Sequence, residues 1–378
     1  MIKWFLKYGF VIYLLNTVLL SIEATFSIGY NIFLFLMTIF SLIILINPKQ
    51  IKLIIFHKSF NFLLLLNLIN LFYWLVFHDL SEYEAGKYLI SKAMQFSIIS
   101  FAIVHNYAYF KKEFMKHLVY TVLCVIFLGL IIDPFIFSGR YSGVIWNPNM
   151  LSSFTTMAFG SLFLMKKKNT NFEIAVLFIF LIISLATGSR DVLVAIAIAF
   201  IFKYGFSLRN IAYLFFAIFS YFIIINFQLN TSINRFESQS LFNDRLLQYK
   251  YAYETILQKP FFGFGLDKYA FINNEIIPYY LKGHILSSHN GYLAILTQYG
   301  LIFGLIVIGI IFYKVIHLFI KIDKKDPELL FYLYIACYIP IAAMYETFFT
   351  GINEFQTILF WFSLAFLSFT VFKKENGD

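Results

Sequence analysis

The chain has 378 residues, of which 61% are hydrophobic and 13% charged, and its formal net charge is +9. Its mean hydropathy is +0.78. A soluble domain of this size needs far less apolar surface, so a soluble class is excluded. Apolar runs near the ~18–20 residues that cross hydrocarbon as helix recur along the chain, which reads as a polytopic helical membrane protein. In that setting the basic excess reports orientation, and nucleic acid is not expected as a partner.

In chain order, about twelve spans are predicted: 4–20, 28–46, 60–77, 89–104, 118–132, 150–165, 172–186, 192–206, 211–227, 292–313, 329–345 and 356–372. The fourth and eighth are short or polar. Met1-Ile2-Lys3-Trp4 leads directly into the first span with no small-residue cleavage site, so no cleavable signal is expected. Cys124 and Cys337 both fall inside spans and read as small core residues.

With the N-terminus placed in the cytoplasm, most lysines crowd the cytoplasmic span ends, among them Lys3, Lys7, Lys49, Lys111, Lys112, Lys321, Lys373 and Lys374. Both termini are then cytoplasmic. The chain forms one integral membrane domain, 1–378, with a large external loop, 228–291, inserted between the ninth and tenth spans. Within that loop Leu246, Tyr249, Tyr253, Ile256 and Leu257 have helical spacing after Asn243-Asp244, and Pro260 and Gly263 follow. An amphipathic helix over the outer mouth of the bundle is expected.

Arginine departs from the lysine pattern. Of the five arginines, Arg140, Arg190, Arg235 and Arg245 fall outside, and Arg209 alone falls inside. The chain uses lysine where a plain charge suffices. Arginine appears where a planar, permanently charged fork matters, as in recognition of phosphate or carboxylate. Arg140 has Asp133 as its only nearby acid in sequence, so an external ligand is expected for it. In Asn147-Pro148-Asn149, Asn149 is expected to cap the following helix. Arg190 sits in the tight turn Thr187-Gly188-Ser189-Arg190-Asp191, with Asp191 as the alternative partner to an anionic head group.

His289 lies in Ser288-His289-Asn290-Gly291, against the start of the tenth span, and is the side chain best suited to proton transfer near neutral pH. His284 is a less anchored competitor. His57, His117 and His317 fall near the cytoplasmic boundary and read as bland. His78, Asp79, Glu82 and Glu84 have the residue types of a divalent-metal site, but a solvated acidic loop is the preferred reading, and no metal or other cofactor is expected. Glu346 and Glu354 flank the last outer turn as partners for outer arginines.

In these places the chain resembles the O-antigen ligase and polysaccharide polymerase superfamily. The matching pieces are Gly139-Arg140 through Asn149, Gly188-Ser189-Arg190, Arg245 ahead of Pro260-Phe261-Phe262-Gly263-Phe264-Gly265, and His289-Asn290 with Gly300-Leu301. The resemblance covers about Arg140 to Gly304; the first four spans match only in hydropathy. It implies a GT-C-like, all-α polytopic fold with about a dozen spans and a large external loop in the bacterial cytoplasmic membrane. It also implies metal-independent, inverting glycosyl transfer from an undecaprenyl-diphosphate-linked oligosaccharide donor to a glycan acceptor. That acceptor is a second lipid-linked repeat unit in a polymerase and the lipid A core in a ligase. Membrane lipid and a chain-length regulator are the other implied partners.

By that resemblance Arg190 and Arg245 bind the leaving diphosphate, and His289 takes the acceptor proton. Arg140, Asn149, Arg235 and Asn290 complete the expected substrate-binding set. A polymerase is preferred because such enzymes diverge widely and only the skeleton of the motifs is present. The rival from another class is a transporter of the same lipid-linked sugars. It would place ionisable groups near the midplane on broken helices, whereas the middles of these spans read as almost free of charge.

Overall fold

In the computed structural model the described residues are 2–79, 82–166, 168–189, 191–210, 212, 243–282, 285 and 287–377. The predicted ninth span, 211–227, lies outside them save for residue 212. Among the described residues the secondary structure is helical, with no strand. The helices are α1 (Ile2–Leu20), α2 (Phe26–Ile46), α3 (Pro48–Ile55), α4 (Asn61–Phe77), α5 (Tyr83–Lys112), α6 (Phe114–Ile132) and α7 (Pro148–Leu164). They continue with α8 (Asn171–Ala186), α9 (Asp191–Tyr204), α10 (Asn243–Gln258), α11 (Gly291–Lys321), α12 (Pro327–Ala342) and α13 (Phe355–Asn376).

Seven of these are long and apolar enough to cross a membrane: α1, α2, α4, α5, α6, α11 and α13. The predicted spans over α7, α8, α9 and α12 correspond to helices of 17, 16, 14 and 16 residues, below that length. The short fourth span is the middle of the 30-residue α5, kinked at Asn106. The chain is thus a polytopic helical membrane protein.

The apolar residues sort by position. α13 is enclosed from Phe355 to Phe369 and packs against α12, α5 and α1 at the centre of the bundle. α2, α4 and α11 expose Phe35, Leu45, Leu75, Leu305 and Ile320, the pattern of a surface that meets lipid. Caps set several entries. Asn147 and Asp326 each precede a proline at the first helical turn, and Thr170 with Glu173 closes a capping box on α8.

α11 breaks at Gly300, whose φ of +70° and ψ of −175° belong to a region essentially reserved for glycine. A break inside a span frees backbone groups that lipid cannot satisfy. Here the segment after α10 supplies the partners. Leu301 N donates to Pro260 O at 2.7 Å and Ile302 N to Phe261 O at 3.3 Å. In return Phe264 N donates to Thr297 O at 2.9 Å and Gly265 N to Gln298 O at 3.1 Å. Gly263, with φ +72°, lies against Gly300, and a Cβ on either would strike the other segment's backbone. The Tyr73 hydroxyl bridges the Phe262 and Gln298 carbonyls from α4. His78 Nε2 accepts from Leu266 N at 3.0 Å while its Nδ1 meets Glu82, so both ring nitrogens serve this clasp. The Pro260–Gly265 and Gly300-Leu301 motifs, far apart in sequence, are one structural element.

Candidate active site

The site is built on the C-terminal end of α12, where helix carbonyls lack intrahelical donors. Tyr292 OH donates to Pro340 O at 2.6 Å and Gly291 N to Ala343 O at 2.7 Å. Met344 O accepts from Asn290 Nδ2 at 3.0 Å and from Tyr249 OH at 2.6 Å. Arg245 Nη1 donates to Tyr345 O and, at 3.4 Å, to His289 O. A cation is the favoured group at this end of a helix dipole. The start of α11 and the loop helix α10 are thereby fastened to one turn, 343–354.

Glu346 in that turn joins the two groups expected to carry chemistry. Its Oε1 accepts from Arg245 Nη2 at 2.9 Å, and its Oε2 lies 3.2 Å from His289 Nδ1. Burial pushes the Glu346 carboxyl upward, but the His289 hydrogen bond and the Arg245 charge outweigh it and hold the group below the ordinary carboxylate range. The carboxylate is therefore ionised near neutral pH. His289 itself sits at φ +39°, a left-handed conformation that costs a non-glycine residue about 1 kcal/mol or more. The bonds of its neighbours to α12 hold it there. Its side chain is 39% exposed, so the ring faces open space.

A second cluster adjoins. Arg140 Nε donates to Thr187 O at 3.0 Å and its Nη2 to Asn149 Oδ1; Tyr141 N donates to Ala186 O at 3.0 Å. The expected cap at Asn149 is displaced by two positions. Pro148 occupies the first helical turn, so Asn147 is the cap and accepts from Asn149 N at 2.9 Å. That leaves the Asn149 side chain to hold Arg140, which is bonded within the protein and does not project alone toward a ligand. Asp191 accepts from Ser189 Oγ at 2.5 Å, Ser152 Oγ at 3.2 Å and Tyr338 OH at 3.4 Å, and lies within electrostatic range of Glu346.

The structure brings together Arg245, His289 and Asn290 on the Glu346 turn and, as a separate cluster, Arg140 and Asn149. Arg190, Arg235 and His284 lie outside the described residues. Residues 175–309 match the family model described as O-antigen ligase. Over that segment the match supports the O-antigen ligase and polysaccharide polymerase superfamily. No curated protein matches it. The family supports an enzyme of the glycosyltransferase-like ligase and polymerase kind.

The matched span covers α9, α10, the clasp and the first half of α11, which carry Arg245 and His289. Asn290 acts here as scaffold. Its Oδ1 caps α11 by accepting from Tyr292 N at 2.9 Å and Leu293 N at 3.0 Å. Lys92, near one end of the predicted fourth span, also reaches this turn. It is 9% exposed inside α5, with Nζ donating to Gly351 O at 2.8 Å. Its sequence signal was a lone lysine within an apolar run.

Proposed function

We propose that the protein is a polysaccharide polymerase acting at the outer face of the bacterial cytoplasmic membrane, joining undecaprenyl-diphosphate-linked repeat units by metal-independent inverting transfer. The reading includes about twelve spans, cytoplasmic termini and an external 228–291 loop. His289 Nε2 takes the proton of the acceptor hydroxyl. The hydroxyl oxygen forms a bond to the anomeric carbon from the face opposite the leaving group. The bond from that carbon to the diphosphate oxygen breaks, and undecaprenyl diphosphate leaves with the electron pair. Guanidinium forks of Arg245 and Arg190 neutralise its developing charge. Arg140, Asn149, Arg235 and Asn290 shape the surrounding walls.

The observation that carries this reading is the Arg245 geometry. The end of its guanidinium is held by Glu346 and two carbonyls. Its Nε–H and second Nη2 hydrogen have no partner among the described residues, which leaves one donor edge for an anion beside His289. His289→Ala, Arg245→Ala and Arg190→Ala are each expected to lower polymer formation in cells by about 10²-fold or more. Wild-type polymer length from all three, at normal protein levels, overturns the reading. The family model's description, O-antigen ligase, favours a ligase as the second reading. Purified protein given only lipid-linked repeats separates them: a polymerase elongates them, and a ligase requires the lipid A core.

A further inference from the structure

Glu346 is the residue whose position the proposed chemistry has not yet used. One carboxylate reaches two groups that arrive from separate elements: Arg245 from α10 through Oε1, at 2.9 Å, and His289 from the start of α11 through Oε2, at 3.2 Å. Glu346 is largely enclosed, with a side-chain exposure of 20%. An ionised carboxylate only accepts hydrogen bonds. The ring nitrogen it faces must therefore carry a hydrogen, which in the neutral imidazole places it on Nδ1 and the lone pair on Nε2. The Nε2 atom has no partner among the described residues. The same carboxylate holds Arg245 Nη2, and Arg245 Nε–H has no partner among the described residues.

We infer that Glu346 is a positioning residue for the transfer: it fixes the His289 tautomer with Nε2 free to accept the acceptor proton, and it aims the open edge of Arg245 at the donor diphosphate. The inference rests on His289 acting as the base. It adds a third member, acting through the other two, and predicts that base and anion clamp are adjusted together. Among the described residues Asp191, Glu354 and Tyr249 also lie within electrostatic range of Glu346, and none bridges His289 and Arg245.

The test uses the full chain in liposomes with lipid-linked repeat units, at matched amounts of protein with wild-type thermal unfolding. Glu346→Gln keeps the shape, but its amide no longer demands a hydrogen on Nδ1. It is expected to lower kcat by about 10²-fold while the donor KM moves by less than about fivefold, because Arg245 keeps its two carbonyl partners. Glu346→Asp retains the charge and is expected to recover part of kcat. In a His289→Ala background, Glu346→Gln is expected to cost at most a few-fold more, since residues that act through one another are not additive. A role in folding alone would lower the melting temperature and leave kcat per folded molecule unchanged.

Wild-type kcat for Glu346→Gln with an inactive His289→Ala overturns this inference and leaves the base assignment standing. An active His289→Ala overturns the base assignment itself. Should Glu346→Gln fail to fold, Glu346→Asp decides: wild-type kcat from the shortened side chain overturns the inference, and a loss of tenfold or more supports it.

Discussion

The two ends of the bundle handle charge differently. At the lysine-rich end, Lys116 pairs with Glu113 at 3.1 Å, Lys321 with Glu375 at 3.0 Å and Lys166 with Glu173 at 2.7 Å. Lys116, Lys321 and their acids are all 44–54% exposed, and exposed pairs of this kind are worth about 0–1 kcal/mol each. At the other end, Arg245 is 30% exposed and binds two carbonyls and a carboxylate, while Arg140 binds a carbonyl and an amide. These lysines pair singly at the surface, whereas each of these arginines uses its planar fork to bind several groups at once.

Exchanging the two residue types tests that contrast most strongly. Arg245→Lys keeps the charge, but one ammonium cannot hold Tyr345 O, His289 O and Glu346 and also present a second edge. Glycan elongation by reconstituted protein is expected to fall by about 10²-fold, close to the alanine variant. Lys321→Arg at the opposite end is expected to elongate at the wild-type rate. Equal rates from Arg245→Lys and the wild type would erase the distinction between the ends.

A substitution in the clasp comes next in size. Gly300→Ala places a Cβ against the Phe261 backbone at a dihedral that only glycine adopts readily. The expected loss is about 3 kcal/mol, read as reduced thermal stability in detergent, with release of the segment that carries α10 and Arg245. At the lysine-rich end Gly309, where a Cβ meets nothing within 4 Å, is the control, and Gly309→Ala is expected to be nearly neutral. Normal stability for Gly300→Ala would mean that α11 does not need its break.

These elements also separate what was legible in the sequence from what was not. The boundaries of α1, α4 and α13 follow from apolar runs with polar ends, and the structure agrees within a few residues. The clasp was not legible, because its bonds join residues about forty apart, and pairing of distant backbone leaves no periodicity. Its glycines were visible as motifs, but their contact was not. At Asn147-Pro148-Asn149 the residue types were right and the register was wrong: proline belongs at the first helical position, so the cap precedes it. Arg245 and His289 were singled out by residue type and place in the chain, and both bond to Glu346. Glu346 was visible only as an outer acid, because its bridging role depends on where α12 ends. The seven helices of spanning length among the described residues fall short of twelve because four predicted spans correspond to helices of 14 to 17 residues and the ninth lies outside the described residues.

The smallest predicted effect sets two acids of one turn against each other. Glu346 has Arg245 and His289 and is held below the ordinary carboxylate range. Glu354, at the entry to α13, is pushed up to about 7, chiefly by burial, with the Thr357 hydroxyl at 2.8 Å and the charge of Lys92 opposing only part of that. A carboxyl in the unfolded chain releases its proton near pH 4.3. Between there and about 7 the folded protein retains a proton on Glu354 that the unfolded chain has lost, so stability falls as pH rises through that window and is constant above it. Wild-type protein in one detergent is expected to melt a few degrees lower at pH 8 than at pH 5. Glu354→Gln, always neutral, is expected to abolish most of that difference by raising the value at pH 8. The Glu346 contribution is lost only on acidification below the ordinary carboxylate range, so it does not overlap this window. An unchanged slope in Glu354→Gln would mean that Glu354 is ionised in the fold, with Lys92 as its effective partner.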